Sequence, residues 1–222
     1  MPRTARAAVG GMVYHVLNRG NNRQCIFRKP ADYAAFVKLL IEGKQRASVD
    51  VLGLCLMGNH WHLVLIPKSD SDLAAYLSWV TNTHVKRYRA HYRNTSGHLY
   101  QGRFKSFVVE EDSYLLTLLR YVEANPLRAK LVERAQDWRW SSLGCDAKTA
   151  RELLSEWPVD RPTNWTVLVN RGVPASELEM IRTALKRDRP LGRIEWVKAM
   201  AKRLGLAHTL RPRGRPRKDQ KR

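Results

Sequence analysis

Two short spacings in this 222-residue chain bring together side chains that could do chemistry. The first is His60-Trp61-His62, inside the stretch Leu54 to Pro67, LCLMGNHWHLVLIP. Side chains alternate faces along a strand, so His60 and His62 point one way and Trp61 the other. Two imidazoles on one strand face supply half of a metal site. The apolar run Leu63-Val64-Leu65-Ile66 would hold them on a rigid element. The plainer alternative is a pair of structural or surface histidines. The second spacing is Tyr121-x-x-x-Asn125, which puts a phenol and a carboxamide on one helix face.

Together these residues describe a reaction centre. Two imidazole nitrogens and one amide oxygen, from His60, His62 and Asn125, would hold a divalent cation. Positions left open on the cation would take the oxygens of a scissile phosphate, which it would polarise as a Lewis acid. Tyr121 would attack phosphorus in line. A phenol near its free pKa of about 10 is a weak nucleophile and needs a metal or a base beside it. A phosphotyrosine keeps the energy of the broken bond, so a DNA 3′-OH can reseal it without ATP. Tyr114 is the rival nucleophile, two helical turns earlier on the same face. It has Leu118 at i+4 where Tyr121 has an amide, and Tyr121 is preferred on that ground. Both tyrosines could also be core residues.

The elements that must position these groups follow from periodicity. Met12 to Asn18 alternates as a strand, and Lys29 to Gln45 has helical spacing with Pro30 near its start. Val49 to Met57 and His60 to Ile66 make a strand pair around Gly58-Asn59. Asp70 to Tyr92 reads as a helix, Leu99 to Val109 as a strand, and Glu110 to Val132 as a helix. Pro126 disfavours helix at the residue before it, so the chain should break or kink at Asn125. The first six elements spell βαββαβ, which predicts an α+β, ferredoxin-like sheet with one further helix offering its polar face to the histidine strand. Expected units are a catalytic domain over 1–145, a helical appendage over 146–210 and a basic arm over 211–222.

Charge points to the partner. Lys and Arg number 40 against 20 Asp and Glu, a net charge of +20, which implies a polyanion such as nucleic acid. Arg19, Asn21 and Arg23 lie in a turn with the composition of a phosphate-contacting loop. Arg87 sits among tyrosines and cations suited to backbone binding and base stacking, and Arg103 and Lys105 share a strand face. Arg213, Arg215 and Arg217 punctuate a Gly-Arg-Pro arm resembling an AT-hook, which would lie in the minor groove of A·T-rich duplex. An untargeted basic tail is the alternative. Cys25, Cys55 and Cys145 are isolated, which argues against a disulfide framework or a cysteine zinc site. No apolar run approaches a membrane span and no signal peptide is evident, so the expected location is the cytoplasm, in association with the nucleoid.

His60-Trp-His62, Gln101-Gly-Arg-Phe104 and Arg120-Tyr-Val-Glu-Ala-Asn-Pro126, in that order, resemble the REP-associated tyrosine transposases, relatives of the single-tyrosine HUH transposases. The resemblance runs from about Tyr14 to Trp140. It implies an HUH nuclease fold and Mg²⁺ or Mn²⁺. It further implies cleavage and rejoining of single-stranded DNA at repeated extragenic palindromes, beside a hairpin. The expected partners are single-stranded and hairpin DNA, and the expected assembly is a monomer or homodimer. By motif, His60 and His62 match the HUH pair, Tyr121 the nucleophile that ends in a 5′-phosphotyrosine, and Asn125 the third ligand, where insertion-sequence relatives more often have Gln. Three other readings remain: a non-catalytic DNA-binding protein on a decayed nuclease core, an RNA-binding module, and a metal-only hydrolase. Mere binding would not require the full set of His60, His62, Tyr121 and Asn125.

Overall fold

A computed structural model describes residues 8–93 and 97–211. Four strands, β1 (Val13–Arg19), β2 (Val49–Met57), β3 (His60–Pro67) and β4 (Lys105–Val109), form one sheet in the order β2-β3-β1-β4. Every neighbouring pair is antiparallel. This order is the one a βαββαβ chain predicts.

Each strand is apolar on both faces because each face is covered. Tyr14, Val16, Leu54, Trp61, Leu63 and Leu65 pack against α1 (Pro30–Lys44) and α2 (Asp72–His91). Val13, Leu52, Cys55, Val64 and Phe107 face the opposite layer, built on α3 (Ser113–Glu123). A bulge between Val51 and Gly53 lets α3 close in, and a Cβ on Gly53 would stand 2.6 Å from Leu119. Tyr33, Phe36 and Leu40 of α1 and Leu73, Leu77 and Val80 of α2 are buried, as their spacing predicts.

Two expectations need correction. The strand expected over Leu99–Val109 is only Lys105–Val109, with an isolated bridge between Gly20 and Tyr100 ahead of it. Gln101 to Phe104 leave the ladder, and the Gly102 carbonyl accepts from Asn18 Nδ2 at 3.3 Å. The helix expected over Glu110–Val132 is α3 followed by a short α4 (Asn125–Arg128). The break falls at Ala124, one residue before the expected Asn125, because Pro126 has no N–H to continue the helical ladder.

The remaining helices are α5 (Ala147–Leu153), α6 (Trp165–Asn170), α7 (Ala175–Arg187) and α8 (Ile194–Arg203). They pack back onto the rest of the fold, α5 against α1, α6 and α7 against α3, and α7 also against β4. Trp165, Val169, Ile181 and Ala184 are buried in one cluster with α3 and the sheet face it covers. Trp165 Nε1 donates to buried Glu123 at 2.6 Å, and Ser142 Oγ donates to its other oxygen at 2.6 Å. Both sheet edges are covered: Ser141 bridges Cys55 on β2, and Leu191 bridges Val109 on β4. Among the described residues no helix is long and apolar enough to cross a membrane.

Candidate active site

The cleft that holds the predicted residues has a volume of about 540 Å³ and opens beside the β3 histidines. Its floor is laid by register. Arg19 stands opposite His60, and Leu17 opposite His62, on the antiparallel β1–β3 ladder. Their side chains share the sheet face that α3 covers.

The neighbours of each imidazole decide what it can do. Asn59 Nδ2 donates to the Arg23 carbonyl at 3.1 Å, so its Oδ1 is the end turned toward His60. That oxygen only accepts, and His60 Nδ1 lies 2.6 Å from it. His60 therefore carries its proton on Nδ1 and keeps a lone pair on Nε2. His62 Nδ1 lies 2.9 Å from Nε2 of His15, a buried β1 residue on the same face. When His62 donates in this pair, its own Nε2 is also left with a lone pair. The His60 and His62 rings are 5.1 Å apart and nearly perpendicular, at 82°.

Burial keeps these rings uncharged. Desolvation lowers the His60 pKa to about 4, with Arg19 and Arg128 adding to the effect. His62 is held well below its ordinary value by burial, then by His15 and His60. His15 is lowered to about 3 by burial alone.

Tyr121 and Asn125 come from the α3–α4 junction. The Tyr121 ring lies 5.9 Å from the His62 ring, edge-on at 87°. Arg128 grips this junction: Nη1 donates to the Tyr121 carbonyl at 2.9 Å and Nη2 to Asn125 Oδ1 at 2.6 Å. Its guanidinium also stands 4.2 Å from the Tyr121 ring centroid, a cation–π contact. Asn125 Nδ2 donates to the carbonyls of Tyr121 and Val122 at 3.3 and 3.2 Å. The amide thus ties the helix break together, and its oxygen faces Arg128. Burial raises the Tyr121 pKa, opposed by Arg128, Arg182 and Arg19.

Tyr114 is elsewhere. It sits in the first turn of α3 and lines a groove between α7 and α8.

The predicted DNA-binding residues divide. Arg19 and Lys105 line the cleft. Asn21 and Arg23 lie in the neighbouring loop, where Asn22 and Arg23 both adopt positive φ, 47° and 60°. Arg103 lines a separate groove against α2, with Asn18, Arg89 and Tyr100. Arg87 pairs with Glu42 of α1 at 3.0 Å, remote from the cleft. Arg213, Arg215 and Arg217 lie outside the described residues.

Several residues in or directly behind the cleft were not singled out from sequence. His15 had one signal, the alternation that puts Val13, His15, Leu17 and Arg19 on one face. Arg128 had one too, lying three residues after Asn125 and seven after Tyr121. Arg182 and Lys186 also line the cleft, and only the tertiary fold brings them there.

A family model described as "Transposase IS200 like" matches residues 8–125, more than half of the chain. The chain belongs to the IS200-like transposase family. The match takes in His60, His62, Tyr121 and Asn125 and stops short of Arg128 and α7. A Haemophilus influenzae protein named as a REP-associated tyrosine transposase is 24% identical over 110 residues, 45% of this chain. The aligned stretch spans 61% of that relative's length. A solved structure of a REP-associated tyrosine transposase bound to a REP hairpin superposes with a TM-score of 0.54 at 18% identity. It covers 72% of this chain and 93% of its own, a likeness of fold.

Proposed function

We propose that this chain is a metal-dependent single-stranded DNA endonuclease and strand transferase that acts on hairpin DNA through Tyr121. The observation that carries this reading is convergence: Tyr121, His60 and His62 line one cleft whose five charged lining side chains are all Arg or Lys. A cleft lined by cations and no carboxylate suits a polyanion held by its phosphates. A relative solved on a REP hairpin supports the choice of hairpin DNA.

The imidazole pair fits a divalent cation, since His60 presents a bare Nε2 and the His62–His15 contact allows the same at His62. A bound Mg²⁺ or Mn²⁺ would polarise a non-bridging oxygen of the scissile phosphate. Asn125 can join as a third oxygen donor through the second lone pair of Oδ1, the first being taken by Arg128. The remaining chemistry belongs to the chain. Arg19, Lys105 and Arg128 hold the phosphate in place and offset charge as it develops. Tyr121 gives up its proton and forms an O–P bond while the P–O3′ bond breaks. The departing 3′ oxygen takes a proton and leaves as a free 3′-OH. The 5′ side stays on the tyrosine as a phosphodiester, and attack by a 3′-OH runs the step backwards.

This polarity gives the test. Hairpin oligonucleotides with single-stranded flanks, labelled at either end, are incubated with the protein and Mn²⁺ or with EDTA. The reading requires metal-dependent cutting in which the 3′ label stays with protein and the 5′ label is released. Cutting that leaves both fragments free of protein would indicate a hydrolase. Binding without cutting across a broad panel would indicate a DNA-binding protein.

A further inference from the structure

Helix α7 begins at Ala175, beyond the matched family stretch, yet it forms a wall of the catalytic cleft. Its Ile181 and Ala184 are buried in the cluster that includes α3 and the sheet. Glu177 near its start pairs with Arg120 of α3, and near its end Lys105 Nζ donates to the Leu185 carbonyl at 3.4 Å. The helix is therefore pinned at both ends and along one side. The side that remains carries Arg182, Leu185 and Lys186 at i, i+3 and i+4, facing the same cleft as Tyr121. Both cations are exposed, and neither has a carboxylate partner within 4.0 Å among the described residues.

Cations near a helix C-terminus are common because the dipole favours them. That accounts for Arg187, which reaches the Arg211 carbonyl and does not line the cleft. It does not account for Arg182, the eighth residue of a thirteen-residue helix. Two unpaired cations one turn apart, facing a nucleophile across a cleft without acids, are placed for adjacent phosphates.

We propose that Arg182 and Lys186 form a phosphodiester-binding subsite of the catalytic cleft, gripping the single-stranded backbone beside the scissile bond. The subsite rests on the reading of the cleft as a DNA-cleaving centre. It gives the region after residue 146 a part in substrate binding.

The test measures affinity for a fluorescent single-stranded oligonucleotide, across a salt series, in a Tyr121→Phe background. Arg182→Gln/Lys186→Gln is compared with Arg187→Gln/Lys198→Gln, which removes equal charge away from the cleft. Each phosphate contact on a single strand contributes about 0.7 to the salt slope, so losing two should flatten it by about 1.4 and weaken binding on the order of tenfold at 0.15 M salt. The control pair should change both much less. Equal losses in the two pairs, or none in the first, would overturn the proposal. So would faster cleavage by the first pair in the Tyr121 protein, since α7 would then be obstructing the site. Adduct formation by wild type is scored separately. An adduct with unaltered binding in the cleft variant sinks the subsite alone, and loss of binding without any wild-type adduct sinks the cleavage reading alone.

Discussion

Lowering the pH from 7 to 5.5 should destabilise this protein by about 2–4 kcal/mol, because its fold buries neutral histidines. His15, His62 and His84 are 0%, 3% and 6% exposed. All three have depressed pKa values, His15 at about 3 and His84 at about 4, with burial as the leading cause. The unfolded chain takes up protons near pH 6.5 and the folded chain does not, so stability falls as pH drops through 6.5 and continues to fall toward the folded values. Between pH 7 and 5.5 each such group costs about 1 kcal/mol, or roughly 3–4 kcal/mol for three. Buried Glu123 acts in the opposite sense. Burial raises its pKa, so the folded state gains a proton before the unfolded one and recovers at most about 2 kcal/mol over the same interval. The depressed carboxylates, Asp32, Asp72, Glu110 and Asp146, titrate below this window. Urea unfolding followed by tryptophan fluorescence at the two pH values measures the difference. His84→Gln keeps an acceptor for the Tyr100 hydroxyl, which lies 2.6 Å from His84 Nδ1, and should remove about one third of the histidine contribution. Stability that is level or rising toward pH 5.5 would refute the reasoning. The neutrality involved is the property metal ligation needs, since only an uncharged imidazole has a lone pair to give.

Other outcomes follow from the same contacts. Glu123→Ala strands the buried Trp165 indole N–H, while the Ser142 hydroxyl keeps the Leu54 carbonyl as an acceptor at 3.3 Å, and should cost about 2 kcal/mol by urea unfolding; Glu123→Gln should cost less and deepen the acid loss. His15→Phe deprives His62 Nδ1 of its partner and should weaken Mn²⁺ binding by about 10- to 100-fold in calorimetry, with His15→Gln restoring much of it. Removing residues 212–222 deletes six Lys and Arg and should flatten the salt dependence of DNA binding by up to about 4 on single strands, leaving strand cutting intact.

Local rules account for what was legible in the sequence. The alternation of β3 put His60 and His62 on one face and Trp61 on the other, where it is fully buried and donates to Tyr100 at 3.0 Å. Pro126 marked the helix break that turns Asn125 back across the Tyr121 carbonyl. The element order foretold the strand order. Groups whose role depends on distant partners were not legible. Arg87 looked like a DNA contact because Glu42, which pairs with it, lies 45 residues away. Gln101 to Phe104 continued a strand-like pattern, but Gly102 and the Asn18 side chain hold them out of the ladder. Nothing in the sequence aims Arg182 and Lys186 at the cleft; the burial of Ile181 and Ala184 fixes which way α7 faces.

The central claim is that the Tyr121 oxygen becomes bonded to DNA. The direct measurement is a denaturing gel of protein incubated with 3′-labelled single-stranded hairpin DNA and Mn²⁺, comparing wild type, Tyr121→Phe and Tyr114→Phe. A labelled protein band in wild type and Tyr114→Phe that vanishes in Tyr121→Phe is the predicted result. A band that survives Tyr121→Phe would contradict the account and move the nucleophile out of the cleft.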